Sequence, residues 1–313
     1  MRRWWQDLSD LVLPAECGGC GAPRTILCPR CRAALGGAVP RRVRPVPEPP
    51  GLPVVHAAAP YAEEVRALLL AHKERGALAL AGALGSALAG AVRAGLAADA
   101  VGGAGGVGGT GGAAGGAGVV GGVAAGWRGR PGPVVLVPVP SARWAVRARG
   151  HDPVRRMALA AAGELRRTGT PARVAAVLRQ RRAVADQAGL GARRRLENVA
   201  GALEVTAGGA RLLDGGRVVL VDDLITTGAS LAEAARALRD PTGSRCEGKS
   251  EGVRTVYEAA TREGRGEQRT GSRSGRGSSV HGAPEKAAPN VNGEALHAAV
   301  VAAPRDSFEI NRN

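Results

Sequence analysis

Residues 218–230, VVLVDDLITTGAS, constrain the chain more than any other stretch. Val218 to Val221 is a short apolar run of β-branched character, the mark of a strand buried on both faces. Two adjacent carboxylates are costly to bury without partners, which predicts that the strand ends at Asp222. Leu231 to Leu238 follows with a helix-forming mixture of Leu, Ala, Glu and Arg. The segment reads as strand, tight polar loop and helix. Such a loop aims backbone N–H groups and hydroxyls at an anion, and the helix N-terminus adds positive potential. In open α/β sheets, ligands sit at the carboxyl ends of the strands, where this loop falls.

The acidic pair argues for more than a phosphate cradle. Carboxylates repel phosphate, so Asp222 and Asp223 are expected to face sugar hydroxyls or a hard divalent cation such as Mg2+. Phosphate at the loop and hydroxyls at the carboxylates together describe a ribose 5-phosphate. An ordinary strand–turn–helix with an acidic cap is the plainer alternative. The whole segment resembles the phosphoribosyl-pyrophosphate (PRPP) motif of type I phosphoribosyltransferases. That resemblance implies that Asp222 and Asp223 take the ribose 2- and 3-hydroxyls. It also implies that Thr226, Thr227, Gly228, Ala229 and Ser230 hold the 5-phosphate.

Near the start of the chain, CGGCGAPRTILCPRC carries two C-x-x-C pairs, Cys17 with Cys20 and Cys28 with Cys31. Two such knuckles place four thiolates around one tetrahedral Zn2+, with Gly and Pro supplying the tight turns. Disulfides are one alternative, but the preceding MRRWWQDLSDLVLP is short and charged, unlike a secretory signal; a mononuclear iron site is another, though its knuckles usually lie further apart. With four cysteine ligands the site is closed, so the Zn2+ is expected to be structural.

Between and beyond these landmarks the pattern alternates. Residues 61–75 read as a helix ended by Gly76. Residues 77–97 form an Ala/Leu helix long enough to cross a membrane, but its Ala and Gly content, Ser86 and Arg93 favour a buried helix on a sheet. Residues 101–126 are almost wholly Gly, Ala and Val, and are expected to be a flexible insertion. Val134 to Val139 predicts a second buried strand, then an Arg-rich loop and a helix from Pro153 to Arg167. Residues 174–178 predict a further strand, and the charged, glycine-containing stretch after it a mobile loop and a short helix. Residues 240–295, rich in Gly, Ser, Arg and Glu, predict a disordered insertion holding a free Cys246. A strand pattern resumes at Leu296, with Ala298 to Ala303 as its core. Alternating strands and helices joined by compact loops predict an α/β sandwich around a mainly parallel sheet.

In this order, the cysteine knuckles, the helix bearing Lys73, PVP followed by Arg149-Gly150, then Gln187, Leu190, Arg195 and Asn198, and finally the PRPP motif, resemble the ComF family. The resemblance covers about residues 5–35, 55–98, 133–239 and 296–303. It implies a type I phosphoribosyltransferase-like parallel sheet flanked by helices, with a small N-terminal four-cysteine zinc ribbon. The implied division is a zinc-ribbon module at 1–45 and a phosphoribosyltransferase-like domain at 55–303, interrupted at 101–126 and 240–295, with a tail at 304–313. It further implies binding of PRPP or a related phosphoribosyl ligand with Mg2+. If the chain is an enzyme, it implies transfer of the phosphoribosyl group to an acceptor, with Asp222 and Asp223 as the catalytic pair. A second implied role is accessory, in uptake of single-stranded DNA during competence or in DNA repair, with single-stranded DNA or a helicase-like protein as partner. One departure is local: where the family tends to read Phe-Asn-Gln after Arg-Gly, this chain has His151, Asp152 and Pro153. Those residues also read as a helix start, with Asp152 as cap and Pro153 at the first position.

Charge supports an anionic ligand. Residues 128–195 hold sixteen arginines against three acidic residues, a net +13 of the whole chain's +16. A basic block suits pyrophosphate, a nucleotide or a nucleic-acid backbone; the plainer alternative is compositional, since the chain has forty Arg to three Lys and abundant Ala and Gly. Arg143, Arg147 and Arg149 follow the VVLVPVP strand, where the resemblance to type I transferases implies a pyrophosphate loop; they are candidate pyrophosphate contacts, with a solvated face as the alternative. Lys73, on a helix, reads as a snorkelling surface lysine. Arg195 and Asn198 read either as part of a lid or as helix caps. His56, His72 and His151 have no metal-ligand spacing. Only Trp127 and Trp144 lie near the basic block, so a stacking platform for single strands is missing. A four-cysteine metal site and unpaired thiols suit a reducing compartment, which predicts a cytoplasmic protein with no membrane insertion.

Overall fold

The computed structural model describes residues 16–102, 132–184, 191–240 and 296–308. The expectations for Gln187, Leu190 and Cys246, and for nearly all of the two insertions, lie outside the described residues. Six strands form one sheet: β1 (Arg41–Val43), β2 (Val54–Pro60), β3 (Val134–Pro138), β4 (Ala172–Val174), β7 (Arg217–Leu224) and β8 (His297–Ala303). Their order across the sheet is β1-β2-β8-β7-β3-β4. Only β1 runs antiparallel to its neighbour; the other four pairings are parallel. A separate antiparallel pair joins β5 (Leu178–Gln180) to β6 (Leu203–Val205). The chain thus has a mostly parallel six-stranded α/β sheet flanked by helices, with an N-terminal cysteine cluster.

The helices are α1 (Pro29–Gly36), α2 (Glu63–Lys73), α3 (Ala81–Gly102), α4 (Arg143–Arg149), α5 (Pro153–Arg167), α6 (Ala192–Val199) and α7 (Ala229–Arg239). Every residue of β8 is buried. Its HAAVVAA sequence explains how: mostly small side chains let helices lie close over both faces of a central strand. Along β7, side chains alternate. Val219 and Val221 join the core beneath α2, α3 and α5, whereas Val218 and Leu220 join the one beneath α7.

Pro153–Arg167 is the helix expected from sequence, and its start follows the capping argument. The Asp152 side chain accepts from the Arg155 N–H at 3.1 Å, and Pro153 occupies the first turn. The long apolar stretch from Leu78 to Asp99 is more than half buried and packs on α5, β2 and β8. It is a core helix, as its Ala/Gly content suggested. Asp99, near its end, accepts from Arg217, and its Oδ2 lies 2.8 Å from His297 Nε2. Those are the first residues of β7 and β8, so the end of α3 is tied to the amino edge of the sheet.

Three expectations need correction. β7 does not stop at Asp222 but continues to Leu224, because β8 keeps pairing with it through Leu224↔Ala302. The Arg-rich segment after β3 is not a loop but the two-turn α4, closed by Gly150 at φ 73°. The strand expected at 174–178 is two strands, β4 and β5, parted where the Val177 N–H turns back to the Ala175 carbonyl at 2.9 Å.

Helix α3 crosses α5 at Gly85. A Cβ there would stand 2.4 Å from Ala160 Cβ and 2.8 Å from the Ala161 nitrogen, so the two backbones touch. Gly85→Val must force them apart, and overpacking of this kind costs about 1–3 kcal/mol. A chemical denaturation midpoint below wild type is expected; an unchanged midpoint would refute the close crossing.

Candidate functional site

The carboxyl edge of the sheet collects the loops after β2, β3, β7 and β8. Asp222 and Asp223 lie there, at the end of β7, with only 9% and 8% of their surface exposed. Alternation turns Asp223 to the side of Val219 and Val221, the face that α2 covers. From the last turn of α2, Lys73 reaches over and places Nζ 2.9 Å from Asp223 Oδ2. Lys73 is therefore the counter-ion of the acidic pair and not simply a snorkelling surface residue. The same contact explains why two carboxylates can be buried in a strand: one of them is charge-compensated.

The two acids differ in charge. Burial, and then the neighbouring Asp223 charge, push the Asp222 carboxyl well above its usual range. Burial also resists ionisation of Asp223, but the Lys73 ammonium outweighs it and holds this carboxyl below its usual range. The Asp223 charge in turn raises Lys73. Burial and charge thus favour the protonated form of Asp222 and the ionised form of Asp223, which faces an ammonium, with the Asp223 N–H donating to Asp222 Oδ1 at 2.8 Å.

Lys73 is positioned by its sequence neighbours. The buried ring of His72 sets Nδ1 3.4 Å from the Ala77 carbonyl and Nε2 3.4 Å from the Pro153 carbonyl. Glu74 takes Arg149 in a two-pronged contact at 2.8 and 3.1 Å. The His151 ring reaches the His72 carbonyl at 3.4 Å. The end of α2 is therefore tied to the α4–α5 junction on both sides of Lys73. Arg149, a candidate pyrophosphate contact, is engaged by Glu74, while Arg143 and Arg147 are exposed on α4.

The loop after β7 is bounded by Gly228, at φ 74°, which caps α7. A Cβ at Gly228 would meet Leu52 at 3.0 Å and Pro49 at 3.2 Å, so both conformation and space require glycine. Thr226 is exposed, and Thr227 and Ser230 are partly so, while Gly228 and Ala229 are buried. The first N–H groups of α7 have no intrahelical acceptor, leaving donors at the loop. Helix α6 packs on α7 and sets Arg195 Nη1 3.4 Å from Thr226 Oγ1. Asn198 takes a different part: its carbonyl accepts from Arg182 Nη2 at 2.9 Å. A cavity of about 290 Å³ between α1 and α3 is lined by residues such as Arg32, Leu35, Ala58 and Arg93, and by neither the acidic pair nor this loop.

The cysteines form a second centre. The ligand atoms of Cys17, Cys20, Cys28 and Cys31 all lie within 4.8 Å of one another, an arrangement that can hold one metal ion such as zinc. The Cys28 N–H points at Cys17 Sγ and the Cys31 N–H at Cys28 Sγ, each at 3.4 Å. Burial opposes ionisation of Cys17, but the amides of Cys28, Cys20 and Gly19 and the Cys31 side chain lower its pKa to about 6. Gly19 is needed between the ligands, since a Cβ there would lie 2.7 Å from Cys31 Sγ. Cys17, Cys28 and Cys31 belong to the same buried cluster as Leu68, Leu84 and Met157, so the centre is fastened to the sheet's own core.

No family model and no curated protein matches this chain.

Proposed function

We propose that the chain is a ComF-like protein of type I phosphoribosyltransferase architecture that binds PRPP or a related phosphoribosyl ligand at the carboxyl edge of its sheet. The observation that carries this reading is the junction of an acidic pair with a glycine-capped, hydroxyl-bearing loop at one strand end. Asp222 and Asp223 would take the two ribose hydroxyls. Thr226, Thr227, Ser230 and the amides of the loop would take the 5-phosphate, with Arg195 closing over Thr226. The exposed Arg143 and Arg147 are suited to a pyrophosphate, as charges beside the same edge. Zinc at the four cysteines would serve as a staple of the fold.

In an enzyme of this kind the residues act by position and charge. Arginines stabilise the departing pyrophosphate while the carboxylates hold the ribose as positive charge grows at C1. The acidic pair itself offers poor coordination for Mg2+, since the Asp223 carboxylate already faces an ammonium at 2.9 Å. Any Mg2+ therefore belongs to the substrate, carried on its pyrophosphate.

A binding-only role in handling single-stranded DNA is the second reading, favoured by the exposed Arg143, Arg147, Arg193 and Arg194. Titration calorimetry of the zinc-loaded protein with PRPP, with and without Mg2+, tests the first reading. Saturable binding that disappears in the Asp222→Asn/Asp223→Asn double variant is expected. A folded protein that takes up no PRPP under either condition would overturn it. Pyrophosphate release with an acceptor separates an enzyme from a binding module.

A further inference from the structure

Lys73 is more than a stabilising partner. Its ammonium lies 2.9 Å from Asp223 Oδ2, and its helix end is held there by His72, Glu74 and the α4–α5 junction. A hard divalent ion needs several oxygen ligands and strong negative charge. With an ammonium 2.9 Å from Asp223 Oδ2, that charge is already matched. A dication beside it would meet like-charge repulsion in a half-buried setting.

We infer that the Lys73 ammonium stands in for a metal ion at the acidic pair, so that the site takes the vicinal diol of a phosphorylated pentose without a divalent cation. This rests on the phosphoribosyl reading above and adds the residue that sets its specificity. The donor inventory fits a diol. A neutral carboxyl offers both a donor and an acceptor, and a carboxylate offers acceptors only. Each hydroxyl of a vicinal diol both gives and accepts a hydrogen bond, so the two acids and the two hydroxyls are complementary. Lys73 keeps the second acid ionised for that purpose and so acts as a positioning residue.

Ribose 5-phosphate separates this inference from the wider reading, because it carries the diol and the 5-phosphate but no pyrophosphate to bring Mg2+ with it. Calorimetry on the zinc-loaded full chain in divalent-free buffer is expected to show binding that added Mg2+ leaves unchanged. The 2-deoxy sugar phosphate is expected to bind about tenfold more weakly or worse, the scale of one lost hydrogen bond to a charged group. Lys73→Met is expected to lose about tenfold or more in divalent-free buffer, with Mg2+ restoring part of it. Lys73→Arg, which keeps the charge, is expected to stay closer to wild type. Circular dichroism checks that each variant is folded; if Lys73→Met is not, the Mg2+ response of the wild type decides alone. A wild type that binds ribose 5-phosphate only with Mg2+, or a Lys73→Met protein that binds as well as wild type without it, would overturn the inference and leave the phosphoribosyl reading standing. A folded wild type that takes neither ribose 5-phosphate nor PRPP under any condition overturns both.

Discussion

Cys31→Ser is expected to strip the bound metal from the zinc-loaded protein and to lower its thermal midpoint by roughly 10 °C. Two losses combine. Cys31 is wholly buried within the cluster that also contains Leu35 and Leu68. Its sulfur is also one of four ligand atoms gathered within 4.8 Å. In isolated zinc modules the metal supplies about 10–16 kcal/mol of folding free energy. Here the segment also leans on the sheet's core, so only part of that is forfeited; a loss of about 3 kcal/mol moves the midpoint of a domain this size by roughly 6–12 °C. Cys20 is the useful contrast. It is exposed, so Cys20→Ser removes a ligand without opening the core, and a smaller fall is expected. Metal content by atomic absorption and scanning calorimetry on both variants decide the matter. Full zinc occupancy with an unchanged midpoint in Cys31→Ser would rule out a structural metal at these cysteines.

Local signals were readable where the partner of each group lies nearby in the chain. The cap of α5 needed only Asp152, Pro153 and the helical pattern after them, and those residues form it. The cysteine set needed only its own spacing, and the four sulfurs do converge. The buried character of β3 and β7 followed from their unbroken runs of Val and Leu. Alternating strands and helices sufficed for the α/β class and the mainly parallel sheet.

What escaped the sequence depends on distant residues. Lys73 meets Asp223 from 150 positions away, and nothing in AHKER marks it as a counter-ion. Without that partner, Asp222 had to be read as the end of the strand; with it, β7 runs on to Leu224. Glu74 meets Arg149 from 75 positions away, so an arginine that looked available for pyrophosphate proves to be held by a carboxylate. The short β1 carries Arg41 and Arg42 in a proline-rich stretch and has no periodicity of its own. It exists because β2 offers it an edge to pair with.

Asp223→Asn and Asp222→Asn are expected to have opposite effects on stability and unequal effects on binding, although the residues are adjacent. Asp223 has a lowered carboxyl pKa because of Lys73. Its contribution to stability is thus fully present above the ordinary carboxylate value, near 3.9, and is lost as pH falls through its lower folded value. Asn at this position removes the charge opposite Lys73. That ammonium is 36% exposed and can turn toward water, so the expected loss at neutral pH is only about 1 kcal/mol, or roughly 2–4 °C. For Asp222 the sign reverses. Its raised pKa makes the folded state bind a proton that the unfolded chain releases, which costs stability as pH rises above the ordinary value. Asp222→Asn lifts that cost, and the amide oxygen can still accept from the Asp223 N–H. A midpoint above wild type at neutral pH is therefore expected, with the advantage shrinking as pH falls toward the ordinary carboxylate value. Binding follows the same division. Ribose 5-phosphate should lose about thirtyfold or more in Asp223→Asn, which gives up the acceptor that Lys73 charge-compensates, and about threefold or less in Asp222→Asn, whose amide still offers a donor and an acceptor. Scanning calorimetry across pH and titration calorimetry on the two variants provide both readouts. If Asp222→Asn is the more damaging in each, the carboxylate that carries the charge is Asp222, and Lys73 serves the other member of the pair.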